Sequence, residues 1–377
     1  MTTSAQALAA PLFEPLSLGP LTIPNRIVMA PMTRNQSPGG VPGEDVAAYY
    51  RSRAEGGVGL IITEGTYIDH PGANGYPDVP AFHGEAALAG WKRVVEGVHA
   101  AGGRIMPQLW HVGRERRPGV EPDMSVPGFG PMSIIEDGVE VVKAMTEQDM
   151  QDVAASFARA ARDAKAIGFD GVELHGAHGY LIDQFLWSGS NQRSDEYGGS
   201  VENRLRFPRM VVRAVREAVG PDFPILFRFS QWKLSDYDAI IAETPEALGE
   251  LLNPLVNEGV DIFHASTRRV WEPAFEGSSK TLAGWTRELT GCPVVAVGSV
   301  GLDKTFRTGH FTRTEDPTSK SRVNVEELAM WRARHDFDLI AIGRALLSDP
   351  QWARKVRDGR LDELHDFDRS ALDTLVR

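Results

Sequence analysis

"DGVELHGAHGYLIDQFL" (residues 170–186) decides how the chain is read. It starts as a short apolar run that reads as a buried strand. It then places His175, His178 and Tyr180 within six positions, before a helix-like apolar stretch. Titratable and hydrogen-bonding groups are thus gathered at the carboxyl end of one strand. Working outward, the same arrangement recurs. Val- and Ile-rich runs occur at "RIVMAPMT" (26–33), "GLIITEG" (59–65), "RIMPQLWH" (104–111), "PILFRFS" (224–230), "DIFHAS" (261–266), "PVVAVGS" (293–299) and "DLIAIGR" (338–344). With 170–176 they make eight. Each is a continuous apolar run, as expected of parallel strands buried on both faces.

Helical patterns separate them. Residues 44–56 and 85–103 stop at Gly pairs. Residues 146–168 open on Thr146 with Asp149 three positions on, close to a capping box. Residues 200–220 start at Ser200, with Glu202 in the first turn, and Pro245 stands first in the helix of 244–259. Strand–helix alternation at this length predicts a (β/α)₈ TIM barrel forming a single domain over 1–377. An open doubly wound sheet is the rival, but no GxGxxG follows the first strand. The two short runs around Gly19-Pro20 predict a β-hairpin across the amino-terminal face of the barrel. Long loops are expected at 112–145, 266–285 and 301–325, after strands 3, 6 and 7. That is the face where barrels carry their sites.

Composition narrows the function. Among 377 residues the formal net charge is −11, which argues against a general nucleic-acid or anionic-membrane partner. The single cysteine, Cys292, excludes an internal disulfide, a Cys-rich zinc site and an iron–sulfur cluster. No apolar run approaches the length of a membrane span, and the amino terminus lacks signal-peptide features. A cytoplasmic protein is the expectation. Polar or basic groups end nearly every strand: Thr33, Arg34, Glu64, Gln108, Trp110, His111, His175, His178, Arg228, His264, Ser299 and Arg344.

Standing in order, "APMTR" (30–34), "ITEG" (62–65), "PQLWHVGR" (107–114), "HGAHGYLIDQFL" (175–186), "NQRSDEYGGSVENR" (191–204), "VGS" (297–299) and "GRALLSDP" (343–350) resemble the Old Yellow Enzyme family of FMN-dependent ene-reductases. The resemblance runs over about residues 12–365, and the 175–204 block is its specific part. It implies non-covalent, tightly bound FMN and NADPH or NADH as hydride donor. The FMN phosphate would lie on Gly298, Ser299, Gly343 and Arg344, where a guanidinium fork suits phosphate. The ring would lie over Pro31, Met32 and Thr33, with Gly65 leaving room, Gln108 at the pyrimidine edge and Arg228 near N1. The resemblance further implies that His175 and His178 bind the activating oxygen of an enone, enal or nitroalkene. Tyr180 would then protonate the α-carbon, and Trp110 would shape the substrate pocket. A homo-oligomer is left open. "NQRSDEYGGSVENR" reads as a polar scaffold for the site. Trp271, Phe275 and Trp285 form either an aromatic wall over the substrate or ordinary packing. Two other classes stay open: a metal-dependent TIM-barrel hydrolase using His111, His175, His178 and Asp183, and a non-catalytic flavin-binding barrel.

Overall fold

In the computed structural model, which describes residues 9–304, 318–320 and 325–377, the chain opens with a hairpin of β1 (Leu16–Leu18) and β2 (Leu21–Ile23). Next come β3 (Ile27–Met29), β4 (Leu60–Tyr67) and β5 (Arg104–Trp110). An excursion then carries β6 (Gly128–Gly130), β7 (Ile134–Glu136) and β8 (Val139–Ala144). The series ends with β9 (Val172–His175), β10 (Ile225–Ser230), β11 (Ile262–Ser266), β12 (Val294–Val297) and β13 (Leu339–Ile342). Strands β3, β4, β5, β9, β10, β11, β12 and β13 form one closed parallel barrel, sealed where Ile340 of β13 pairs with Ile27 of β3.

Side-chain alternation sorts the core into two shells. Val28, Leu60, Ile62, Met106, Leu226, Ile262, Val295, Leu339 and Ala341 fill the barrel interior together with Leu18, Leu21 and Ile23 of the hairpin. The hairpin therefore plugs the amino-terminal end, as its sequence predicts. The alternate residues, such as Ile27, Ile61, Ile105, Leu174, Phe227 and Phe263, belong to the outer shell beneath the helices.

Local chemistry sets the helix starts. Thr146 accepts from the Asp149 amide at 3.2 Å while the Asp149 carboxylate accepts from the Thr146 amide at 2.8 Å, completing the capping box. Ser200 and Thr244 cap the helices Val201–Val219 and Pro245–Glu258. These helices wrap the barrel and fix which ends of the strands point outward.

One expectation about loops changes, and one open alternative closes. Residues 112–145 are not simply loop: β6, β7 and β8 build a small three-stranded sheet, with β6 parallel and β7 antiparallel to β8. The Pro- and Gly-rich composition concealed it because its strands are short. Trp271 and Phe275 form no wall over the mouth. Trp271 stacks on Trp331 at 5.6 Å and Phe275 packs against Trp285 at 6.1 Å. Most of the segment 301–325 lies outside the described residues. Among the described residues, no helix is long and apolar enough to cross a membrane.

Candidate active site

The carboxyl ends of the strands open into one cleft. It is lined by Pro31, Met32, Thr33, Gln108, Trp110, His175, His178, Tyr180, Arg228, Gly298, Ser299, Gly343 and Arg344, so nearly every site residue expected from sequence converges there. Gly65 is the exception. It does not line the cleft; a Cβ on it would stand 2.4 Å from Cε3 of Trp110. The room it leaves is taken by that indole.

The 175–180 stretch explains its own composition. His175 ends β9 pointing inward. The chain then turns through His178 (φ 65°) and Gly179 (φ 87°), leaving strand geometry and bringing His178 and Tyr180 back to the cleft. Three anchors hold the turn. The His178 amide donates to Ser230 Oγ at 2.9 Å, the Gly179 amide donates to Asp183 at 2.6 Å, and Asp183 is paired with the buried Lys233 at 2.7 Å. The His178 ring is fixed by Ser266 Oγ at 2.8 Å and by stacking on Trp232 at 4.4 Å. His175 and His178 rings lie 5.3 Å apart at 86°, and Tyr180 sits edge-on to His175 at 4.9 Å and to Trp110 at 4.8 Å. Tyr76, stacked on Trp110 at 5.5 Å, brings its hydroxyl to 3.4 Å from that of Tyr180.

Electrostatics follow from burial. Desolvation, then the charge of Arg228, holds His175 and His178 well below the usual imidazole range, so both are neutral and each carries one N–H. Burial, followed by the neighbouring Tyr76, holds Tyr180 well above the ordinary phenol value, so it keeps its proton. The cleft therefore offers neutral donors and a protonated phenol side by side.

The other strand ends divide by role. Arg34 turns away to the carboxyl terminus, donating to the carbonyls of Ala371 at 2.6 Å and Thr374 at 3.0 Å. Glu64 braces the Thr33 segment by accepting from the Arg34 amide at 2.8 Å. His111 lies 3.0 Å from His70 and is engaged with it, not with His175. Among the described residues no three His, Cys, Asp or Glu side chains are grouped to hold a metal, which removes the observation behind the hydrolase reading. "NQRSDEYGGSVENR" is scaffold as read: Asn191 spans the carbonyls of Phe185 and Tyr197, and Arg193 those of Pro131 and Met145.

Trp232, Leu234, Tyr237 and Glu173 were missed by sequence, whereas His264 was read there as a polar strand end. Trp232, Leu234 and Tyr237, in the segment after β10, form the aromatic side of the cleft. Two aromatics just past a strand's carboxyl end were the available signal. Glu173 and His264 lie beneath the cleft, fully buried and 2.5 Å apart. Outward-facing Val172 and Leu174 on either side of Glu173 show in the sequence that it points inward.

The donor set can be tested against a flavin mononucleotide. Arg228, Arg268 and Arg344 and, among the described residues, no carboxylate line the cleft, which suits an anionic ligand. Arg228 is buried on β10, and its Nε finds no hydrogen-bond partner among the described residues. Such a donor calls for an acceptor from a ligand. A Cβ on Gly343 would stand 3.6 Å from Met32 Sδ, an ordinary contact. Gly298, Ser299 and Arg344 adjoin it on the cleft wall. The residues fit FMN.

A parallel barrel with a flavin-compatible, arginine-rich mouth defines a flavin-dependent oxidoreductase. Over residues 11–310 the chain matches the NADH:flavin oxidoreductase / NADH oxidase family, and it belongs to that family, the Old Yellow Enzyme group of FMN enzymes. It is 34% identical over 365 residues to 12-oxophytodienoate reductase 7 of Oryza sativa subsp. japonica, covering 92% of this chain and 88% of that one. It is 33% identical over 363 residues to an NADH oxidase of Thermoanaerobacter brockii, covering 94% of this chain but only 52% of the relative. The fold superimposes on morphinone reductase in complex with tetrahydroNAD with a TM-score of 0.78, at 32% identity and with 96% and 93% of the two chains covered. An Old Yellow Enzyme homologue from Zymomonas mobilis gives a TM-score of 0.77 at 28% identity, covering 96% of each. The chain is an FMN-dependent oxidoreductase that draws on NADH or NADPH.

Proposed function

We propose that this enzyme is an ene-reductase for α,β-unsaturated carbonyl or nitro compounds, working as one domain over residues 1–377. The observation that carries the proposal is the grouping of two neutral imidazoles and a protonated phenol around one cleft. The reductases of 12-oxophytodienoate and morphinone among its relatives support it.

Bound FMN would supply the hydride for the β-carbon. The chain's own residues do the rest. His175 and His178 each donate a hydrogen bond to the substrate's activating oxygen, where negative charge gathers as the double bond is reduced. Neutral donors fit this task, since they bind both the uncharged substrate and the charge it develops. Fixed donors of this kind are worth about 3 kcal/mol each. Tyr180 gives its proton to the α-carbon, and its raised pKa keeps that proton in place until a carbanion-like carbon takes it. Trp110 and Tyr76 hold the phenol and shape the substrate side of the cleft. Thr33, beside Pro31 and Met32, would lie along the flavin ring and tune it by its hydroxyl. Gln108 and Arg228 would hold the pyrimidine end, and Gly298, Ser299, Gly343 and Arg344 the phosphate.

The test is an anaerobic titration followed by a variant. The purified protein should carry flavin absorption that bleaches with NADPH or NADH and returns on adding cyclohexenone. Tyr180→Phe should still bleach, but should return about 10²–10⁴-fold more slowly. Unchanged reoxidation by every enone tried would remove Tyr180 as the proton donor. A barrel that binds flavin and never turns over would favour the non-catalytic reading.

A further inference from the structure

Beneath the cleft, the barrel interior carries a polar layer directly above its apolar one. Gln108 pairs in register with Glu173 across β5 and β9, and Arg228 of β10 pairs with both His175 of β9 and His264 of β11. Glu173 is fully buried at the centre of this layer. One carboxylate oxygen accepts from Gln108 Nε2 at 2.7 Å, and the other accepts from His264 Nδ1 at 2.5 Å.

A carboxylate only accepts, so this contact determines both partners. Gln108 must turn its amide nitrogen to Glu173, which makes its carbonyl oxygen the acceptor left to the cleft. His264 must carry its proton on Nδ1. Its Nε2, buried and without a partner among the described residues, is then a bare lone pair and not a stranded N–H donor. Burial alone would favour a neutral Glu173, but the contacts from His264, Arg228 and Gln108 outweigh it and keep the carboxylate charged. In turn, Glu173 is the carboxylate whose charge acts on Arg228, whose own burial is otherwise unfavourable.

We propose that Glu173 is the positioning residue of the cofactor floor: it orients the Gln108 amide, sets the His264 tautomer, and partly neutralises Arg228, so limiting how strongly that cation stabilises reduced FMN. This rests on the assignment of Gln108 and Arg228 to the pyrimidine end of FMN. Reduced flavin gathers negative charge there, so a carboxylate below Arg228 opposes reduction and its removal favours it. The role is electrostatic and geometric, and Glu173 touches no reacting atom.

The experiment compares FMN-loaded wild type, Glu173→Gln and Glu173→Asp by midpoint potential and by FMN dissociation constant. Glu173→Gln removes the charge at nearly constant shape. Its reduced-to-oxidised equilibrium should move at least tenfold toward reduced FMN, about 30 mV for a two-electron couple. Its amide also presents a second donor to a site built for donors, so ¹⁵N NMR should show His264 leaving the Nδ1–H tautomer. Glu173→Asp keeps the charge on a shorter arm. It should hold the wild-type potential while binding FMN about tenfold more weakly, because Gln108 and His264 lose their fixed acceptor. A folded, loaded Glu173→Gln with unchanged potential overturns the proposal. So does Glu173→Asp with unchanged FMN affinity, which keeps the test decisive should the Gln variant not fold. Wild-type protein that takes up no FMN would overturn the cofactor assignment itself, a failure seen before either variant is made.

Discussion

Glu64 sits under the Thr33 segment, almost wholly buried, and burial raises its carboxyl from 4.5 to about 7 against the pull of the Arg34 amide and charge. The folded protein therefore holds a proton there that the unfolded chain has released. Between these two values the native state binds more protons, so stability falls as pH rises through this window. Below about 4.5 the cost is absent, and above about 7 it is complete. At about 1.4 kcal/mol per pH unit the gap amounts to about 3 kcal/mol. Glu64→Gln replaces the carboxyl with a group that never ionises and still accepts from the Arg34 amide. Its new N–H falls where Oε1 finds no partner among the described residues, a constant penalty that does not vary with pH. Urea unfolding of both proteins with saturating FMN, at about pH 5 and about pH 8, isolates the term, since all other titrating groups cancel in the difference. The variant should gain about 2.5 kcal/mol on wild type between the two conditions, because part of the cost is already present at about pH 5. A stability difference that stays flat across them would refute the burial argument.

Three further outcomes follow from particular contacts. Lys233→Met leaves Asp183 charged and buried without its partner, so it should cost about 3–5 kcal/mol; a double variant with Asp183→Asn should recover most of the loss in a thermal melt. Gly65→Ala pushes on Trp110, which touches Tyr180 and stacks near His175, so kcat/KM for an enone should fall about 10–100-fold while FMN binding holds in a fluorescence titration. Arg53, fully buried, donates to the carbonyls of Tyr49, Leu346, Leu347 and Val376; Arg53→Met should cost about 3 kcal/mol or more and expose the carboxyl-terminal residues to limited proteolysis.

The barrel was legible because its strands are buried on both faces. Apolar residues on consecutive positions, followed by a polar residue, mark a strand that is covered by helices outside, filled inside and open only at its end. The candidate site was legible for a related reason: two histidines and a tyrosine within six positions at a strand end. What escaped was chemistry that single-strand reading cannot see. β6, β7 and β8 have only three to six residues each, and β6 is Gly-Phe-Gly, so no long apolar run reveals them. Trp232 and Tyr237 follow β10 in a segment without regular spacing, and their place in the cleft depends on a turn anchored by Lys233 and Asp236. Arg34 was read only as a polar strand end, because its partners are about 340 residues away in sequence.

Glu173 is the instructive case, because alternation placed it inside the barrel yet gave no reason for it to be there. A lone carboxylate in that interior would be driven neutral by desolvation. It stays charged because β5, β10 and β11 each contribute a group at its level: Gln108, Arg228 and His264. None of these is within fifty residues of Glu173 in sequence, so only the closing of the barrel brings them together. The same closure explains why the site is rigid. Removing any one member strands another buried polar group, which makes the layer costly to rearrange and lets it hold its neighbours in the cleft to a single geometry. A flavin enzyme benefits from that stiffness: the groups that meet developing charge are already oriented, and no reorganisation is needed at the moment of transfer.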